Sequence, residues 1–389
     1  MRTMQSCPGE RGAVSIMAAL CLVVLAGVAA LAVDLGHLRA KRADLQNAAD
    51  AAALAGAAAS LSWRGDPAAV RQVALEYALK NLSAADQPGV AVTTADVVLL
   101  LDGLPDEAAA NQVEVRIART ADRGNPVELF FGRVFGRETA DLTATARAGL
   151  FPVCTSSCVK PFIVPTKFAW DDSAAPEGSD AYQNGELDVN NSAEMGTVEV
   201  IGYSQADVGT RITLKYGDPH DTVAPGQYSA VDFPPVNQGD PITGAAEYKE
   251  NIAGCTGSNT ALVELDDELY LEPGNMVGPT DQGLRELLAQ DPFATWDDAA
   301  ASITGSDFPD PLNSPRVGIV AFYDPRFPPT SGRNTLRVYQ LGAVFIESVQ
   351  GQGEITARFI NTLARSPQSA PGECLTFIAR LIADSSREG

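Results

Sequence analysis

The chain has 389 residues, 49 acidic side chains against 28 basic ones, and a net charge of −21. Up to Gly65 there are six basic and four acidic residues, so that part carries +2 and the remainder −23. A body this acidic repels nucleic-acid phosphates and has no basic stripe with interleaved aromatics, which excludes nucleic acid as a partner. The length suits an anchor followed by two ordinary domains.

The first predicted element is Ala13–Val33, AVSIMAALCLVVLAGVAALAV, which has no charged residue. As a helix it is about 31 Å long, the thickness of a bilayer hydrocarbon core, and it satisfies its own backbone groups in lipid. We read residues 13–33 as a transmembrane helix and 1–12 as a cytoplasmic tail. Alanine dominates the next stretch, and no proline follows before Pro67. The helix is therefore predicted to run on, with residues 34–62 as an Ala-rich extension projecting from the membrane. Leu35, Leu38, Leu45, Ala49 and Ala52 form a thin apolar seam on it. Ala55 and Gly56 leave so little side chain that another helix can approach closely.

The span ending in Ala-Val-Asp-Leu-Gly (32–36), the basic patch Arg39-Ala-Lys-Arg42 and the run Leu45-Gln-Asn-Ala-Ala-Asp-Ala-Ala-Ala53 together resemble the N-terminal signature of TadG-like proteins. These proteins are associated with assembly of tight-adherence (Flp) pili in bacteria. The resemblance covers about residues 11–59 and implies an envelope protein with a structural or assembly role and protein partners in a pilus assembly complex. It also implies an N-terminus in the cytoplasm and a bulk in the periplasm or outside, anchored once in the inner membrane. Charge alone argues for the reverse orientation, because Arg39, Lys41 and Arg42 follow the span. Long domains, however, translocate largely regardless of charge.

Two alternatives concern processing. A cleaved signal peptide fits the small-x-small run Ala30-Leu31-Ala32, but the apolar run exceeds the usual h-region of about 7–15 residues, so a retained anchor is favoured. A prepilin leader needs a glutamate five residues after its glycine; Gly12 is followed there by Met17 and Gly9 by Val14. That departure argues against membership of the pilin shaft.

Beyond the long helix, Asp66-Pro67 reads as an N-cap followed by the first helical position, starting a helix to about Leu82. Asp96–Leu101 reads as a buried strand, and Asn111–Thr120 alternates with Val113, Val115 and Ile117 inward. Val127–Gly136 is apolar and short, a helix or a bend, and Asp141–Ala148 alternates again. Residues 66–150 thus make a small α+β module; helix-then-sheet after a membrane helix resembles pilin architecture by analogy only. Residues 151–389 are rich in Pro, Gly and Asp with scattered strands, and form a mainly-β extracytoplasmic domain. One surface helix is predicted at about Thr280–Ala289, with Thr280 as cap. Tyr323–Asn334 is predicted to be a hairpin loop, and Thr335–Val349 one run of strand. The fold class is α+β.

Cys7 precedes the span and Cys21 lies within it. Cys154, Cys158, Cys255 and Cys374 are an even number in an oxidising compartment and are the disulfide candidates. Four cysteines allow three pairings; we prefer Cys154–Cys158, closing on itself within CTSSC, and Cys255–Cys374. With only His37 and His220 as histidines, and no second close cysteine pair, zinc is not expected. His37 abuts the anchor and His220 sits in a turn-rich loop, so neither is read as a catalytic base. No nucleophile elbow, Walker loop or H-E-x-x-H motif is present. The chain is therefore expected not to be an enzyme, with no catalytic, cofactor or metal residues. Glu186–Asn191 places oxygen ligands at alternate positions but lacks the glycine and glutamate of an EF-hand loop. Asp172-Ser-Ala-Ala likewise does not match the metal motif of von Willebrand A-type domains carried by some TadG-related proteins. The functional alternative is a membrane-tethered binding module for surface polymer or calcium, unrelated to pili.

Overall fold

The computed structural model describes residues 10–82, 90–215, 230–272, 274, 276–329, 335–350, 354–367 and 374–382. It divides into two compact units, one up to Gly149 together with the chain from Arg380 onward, the other Leu150–Ala379. The fold is α+β, with one long N-terminal helix and a mainly-β C-terminal region.

In the first unit, helix α1 is unbroken over Glu10–Ser62, 53 residues. Its alanines and leucines favour helix, and nothing stops it until Gly65 takes a left-handed φ of +82°. Asp66 then caps α2 (Pro67–Asn81): its carboxylate accepts the amides of Ala68 and Ala69 at 3.1 and 3.0 Å, and Pro67 loses no hydrogen bond at the first helical position. Strands β1 (Val97–Leu101), β2 (Leu104–Pro105), β3 (Gln112–Arg119), β4 (Val127–Glu128), β5 (Thr139–Ala140) and β6 (Leu142–Val153) follow. The order β2-β1-β3-β6 is antiparallel throughout, with Val115 opposite both Val97 and Ala146. The alternation predicted for β3 is present: Val113, Val115 and Ile117 are fully buried beneath the helices. The apolar run expected as a helix or bend is the tip of a hairpin. β4 pairs with β5, and between them Gly132–Phe135 make a short 3-10 turn.

The second unit is built on a five-stranded sheet ordered Arg211–Lys215, Glu354–Ile360, Gln340–Gln350, Val317–Tyr323 and Val159–Pro165. All its neighbours are antiparallel except the last pair, which is parallel. Val317–Tyr323 is buried at every residue, so it is an interior strand covered on both faces rather than a half-exposed alternating one. The expected run Thr335–Val349 divides at Val338–Tyr339. Its first piece, Thr335–Arg337, joins a three-stranded sheet with Glu268–Leu271 and Val231–Asp232; the second enters the five-stranded sheet. The expected loop after Tyr323 is present as far as Pro329, and residues 330–334 lie outside the described residues.

Two helices, Ala245–Ala253 and Val277–Leu288, pack together in this unit. Thr280 lies inside the second helix rather than capping it. Its hydroxyl is buried against Tyr248 Oη at 3.2 Å, and the helix begins three residues earlier. Arg316 ties the unit together. Its buried guanidinium donates to the carbonyls of Asp291, Ala294, Ile346 and Glu347 and lies 4.7 Å from the centre of the Phe345 ring.

The preferred disulfide pairing is corrected. Cys154 pairs with Cys374 and Cys158 with Cys255, each with Cα atoms 5.2 Å apart. Thr155 and Ser156 are held extended by antiparallel pairing with Glu264 and Val263. At about 3.3 Å per extended residue, Cys154 and Cys158 are carried beyond the roughly 7 Å that a disulfide spans. Cys154 and Cys374 sit in the core cluster, while the Cys158 amide donates to the Asn259 carbonyl near Cys255.

Candidate membrane-anchoring site

The functional geometry of the first unit is concentrated on α1, whose two halves have opposite surroundings. From Val14 to Leu31 its large apolar side chains are 61–70 % exposed and nothing in the unit covers them. This half is long and apolar enough to cross a membrane. Cys21, exposed within it, is the one free cysteine among the described residues, and Cys7 lies outside them.

The other half is core. Leu45, Ala48, Ala49, Ala52, Ala53 and Ala57 are almost wholly buried. Ala55 is partly covered, Leu38 likewise, and Leu35 remains 45 % exposed. The close approach that the small residues allow is taken by α2 and β3 of the same chain, not by a partner helix. A Cβ on Gly56 would lie 2.9 Å from Val113 Cγ1 and 3.2 Å from Ala74 Cβ. Gln46 locks the contact further, donating to the Asp50 carboxylate at 2.7 Å and to the Thr145 carbonyl of β6 at 3.1 Å.

Asp34 marks the change between the halves. It is the first charged residue after the apolar run, yet only 6 % exposed. Its carboxylate accepts the Phe130 amide at 2.8 Å and the Phe131 amide at 3.1 Å, at the tip of the β4–β5 hairpin. One turn later, the His37 ring packs edge-on against Phe130, with centroids 4.8 Å apart. A charge-assisted bond to a backbone amide is roughly twice as strong as a neutral one, so two of them make Asp34 a firm latch. The Ala-Val-Asp-Leu-Gly signal thus contains a structural tie that the residues themselves did not reveal. A signal for its partner was present: LFFGRVFG carries five large apolar residues in a short run interrupted by Gly132 and ended by Gly136.

Other sequence candidates are placed as follows. His37 contacts Phe130, and His220 lies outside the described residues. In the Glu186–Asn191 loop, Asp188 accepts the Asn190 amide at 2.9 Å and Asn191 caps the short helix Ser192–Met195. Among the described residues no group of three or more His, Cys, Asp or Glu side chains is arranged to hold a metal ion.

Residues 12–59, all within α1, match the Tad family model, described as Flp pilus-assembly TadE/G-like. The N-terminal segment is therefore TadE/G-like, in agreement with the resemblance of its sequence. No curated protein and no solved structure matches the chain.

Proposed function

Proceeding from that TadE/G-like segment, we propose that the chain is a membrane-anchored structural or accessory component of Flp pilus assembly. It acts by association rather than catalysis, from the inner membrane, with its N-terminus in the cytoplasm and both units outside. The observation that carries this reading is the coincidence of the family match with α1. The same helix offers a bare apolar span at one end and is the core of a folded unit at the other. The disulfides suit an oxidising compartment. Because the alanine face is already covered, partners are met by the acidic outer surfaces or by the apolar span, not by the Ala-rich half of α1.

The test is deletion of the gene in the bacterium that encodes it, with surface Flp pili counted by electron microscopy. Loss or marked reduction of pili, restored by the full chain, is expected. Unchanged piliation overturns the proposal.

The second reading, a tethered binding module, has one observation in its favour. A cavity of about 480 Å³ in the second unit is lined by Tyr323, Phe327, Tyr339, Asp266, Asp324 and Arg337, an aromatic and charged set that suits a sugar polymer. Binding of purified envelope polysaccharide, lost on Tyr339→Ala, with piliation unaffected by gene deletion, selects this reading instead.

A further inference from the structure

We propose that the hairpin tip Phe130–Phe135 is a second membrane contact. It places Phe130, Phe131, Val134 and Phe135 in the interfacial layer of the outer face of the bilayer, beside the point where α1 leaves it. This deepens the anchored reading and rests on α1 remaining in the membrane.

Four observations converge on the tip. Phe130, Phe131, Val134 and Phe135 are 65, 43, 80 and 61 % exposed, four large apolar groups within six residues. Soluble surfaces tolerate single apolar residues, but a cluster of this kind marks an interaction site. The position of the tip along the molecule is fixed, because Asp34 holds the Phe130 and Phe131 amides and His37 packs on the Phe130 ring. The tip therefore lies level with the first charged turn after the apolar run, where aromatic rings favour the boundary between hydrocarbon and water. Its charged neighbours also fit a lipid surface. From Phe130 to Arg137 the charged residues are Arg133 and Arg137, both exposed. The exposed Glu128 and Glu138 flank this stretch, and Arg39 and Arg42 are exposed on the adjoining turns of α1, so the basic groups outnumber the acidic ones around the tip. In a chain of net charge −21 that concentration of arginine suits anionic headgroups.

The tip is also preorganised. The Val134, Gly136 and Arg137 amides donate back to the Phe131, Arg133 and Gly132 carbonyls. A Cβ on Gly132 would come within 2.4 Å of the Arg137 carbonyl oxygen, so the turn is closed too tightly for any other residue. The apolar side chains are therefore presented by a fixed hairpin. The occupant of the surface is lipid rather than another protein, because the tip continues a span that already lies in lipid and is tied to the end of that span.

The experiment uses the full chain in nanodiscs of mixed zwitterionic and anionic phospholipid, with Cys7→Ser and Cys21→Ser removing the free thiols. A nitroxide is attached at Val134→Cys, at Phe135→Cys, at Val24→Cys in the span, and at Asp122→Cys as an exposed site elsewhere in the unit. Collision with oxygen, which concentrates in lipid, is compared with collision with a water-soluble nickel chelate. Labels at 134 and 135 are expected to favour oxygen several-fold relative to the label at 122. If they match the label at 122 while the label at 24 reads lipid, the anchor stands and the tip proposal is overturned. If the label at 24 also reads water, the anchored reading itself fails and the tip proposal falls with it.

Discussion

The seating of α1 on β3 turns on Gly56, and Gly56→Ala tests it. Ordinary carbon contacts lie at about 3.5–4.0 Å. The added methyl would meet Val113 Cγ1 at 2.9 Å and Ala74 Cβ at 3.2 Å. Val113 is fully buried and, being β-branched, has little freedom at χ1, so it cannot swing aside. Overpacking of this kind costs about 1–3 kcal/mol, whereas Gly→Ala within a helix gains about 1 kcal/mol. The overlap wins, and a net loss of about 1 kcal/mol is expected. Gly36→Ala on the same helix has nothing within 4 Å of the new methyl and should be neutral or favourable by up to about 1 kcal/mol.

The two substitutions are thus predicted to differ in sign. Because the protein has two units, a single melting temperature is a poor readout, and hydrogen exchange followed by mass spectrometry on β3 and α2 peptides is preferable. A loss of about 1 kcal/mol lowers amide protection roughly fivefold. In the double variant Gly56→Ala with Val113→Ala, the cost should fall short of the sum of the single costs. Gly56→Ala raising protection, or strict additivity with Val113→Ala, would refute the seating.

Four further outcomes follow from the second unit. Non-reducing peptide mapping should recover Cys154 linked to Cys374 and Cys158 linked to Cys255, and a Cys154–Cys158 peptide would contradict the fold. Replacing both cysteines of the 158–255 pair should cost several kcal/mol, since closing a loop of about 100 residues contributes about 4.7 kcal/mol in the chain-entropy description. Arg316→Met should destabilise the unit by about 3–5 kcal/mol in urea unfolding, because four carbonyls lose their donors, and a change below 1 kcal/mol would discount the hub. Burial, then the adjacent Glu272 carboxylate, pushes the Asp232 carboxyl from 3.8 up to about 8, so the fold holds a proton that the unfolded chain releases. Stability from this group is complete below about pH 4 and is lost as pH rises to about 8. Asp232→Asn should remove that part of the decline in a pH series of thermal unfolding; an unchanged slope would dismiss the assignment.

Burial moves Lys160 the other way, down to about 7, with its ammonium end donating to the Ile252 carbonyl at 2.6 Å. Its folded form prefers to be neutral, so its contribution increases with pH from about 7 to 10.5. The two groups act in largely separate windows, which lets a pH series tell them apart.

The parts legible in the sequence were those in which local chemistry and final packing agree. Twenty-one uncharged residues followed by alanines could only be one helix, Asp66-Pro67 capped the next, and Val113, Val115 and Ile117 alternated because one face of β3 is core. Where the fold brings distant residues together, the sequence was silent. The alanines announced a close approach but not that α2 and β3 would make it. Asp34 gave no sign of its tie to Phe130 and Phe131, 96 and 97 residues away. The helix Ala245–Ala253 went unread because its buried residues, Tyr248, Asn251 and Ile252, are too few and too polar to stand out as a stripe. Similarly, CTSSC looked able to close on itself only because its pairing with Val263 and Glu264 is non-local.

The nested disulfides make the second unit nearly a closed ring, with the 158–255 bridge lying inside the 154–374 one. A protease cutting once anywhere between Cys154 and Cys374 leaves both products joined through sulfur. Two cuts in different intervals still release nothing when one of them lies between Cys158 and Cys255, because the middle piece then keeps one cysteine of that bridge. A segment is freed by two cuts within the same interval, or by one cut between Cys154 and Cys158 together with one between Cys255 and Cys374. A single nick in a connecting loop therefore leaves the last strand, Thr376–Leu381, covalently attached to the rest of the chain.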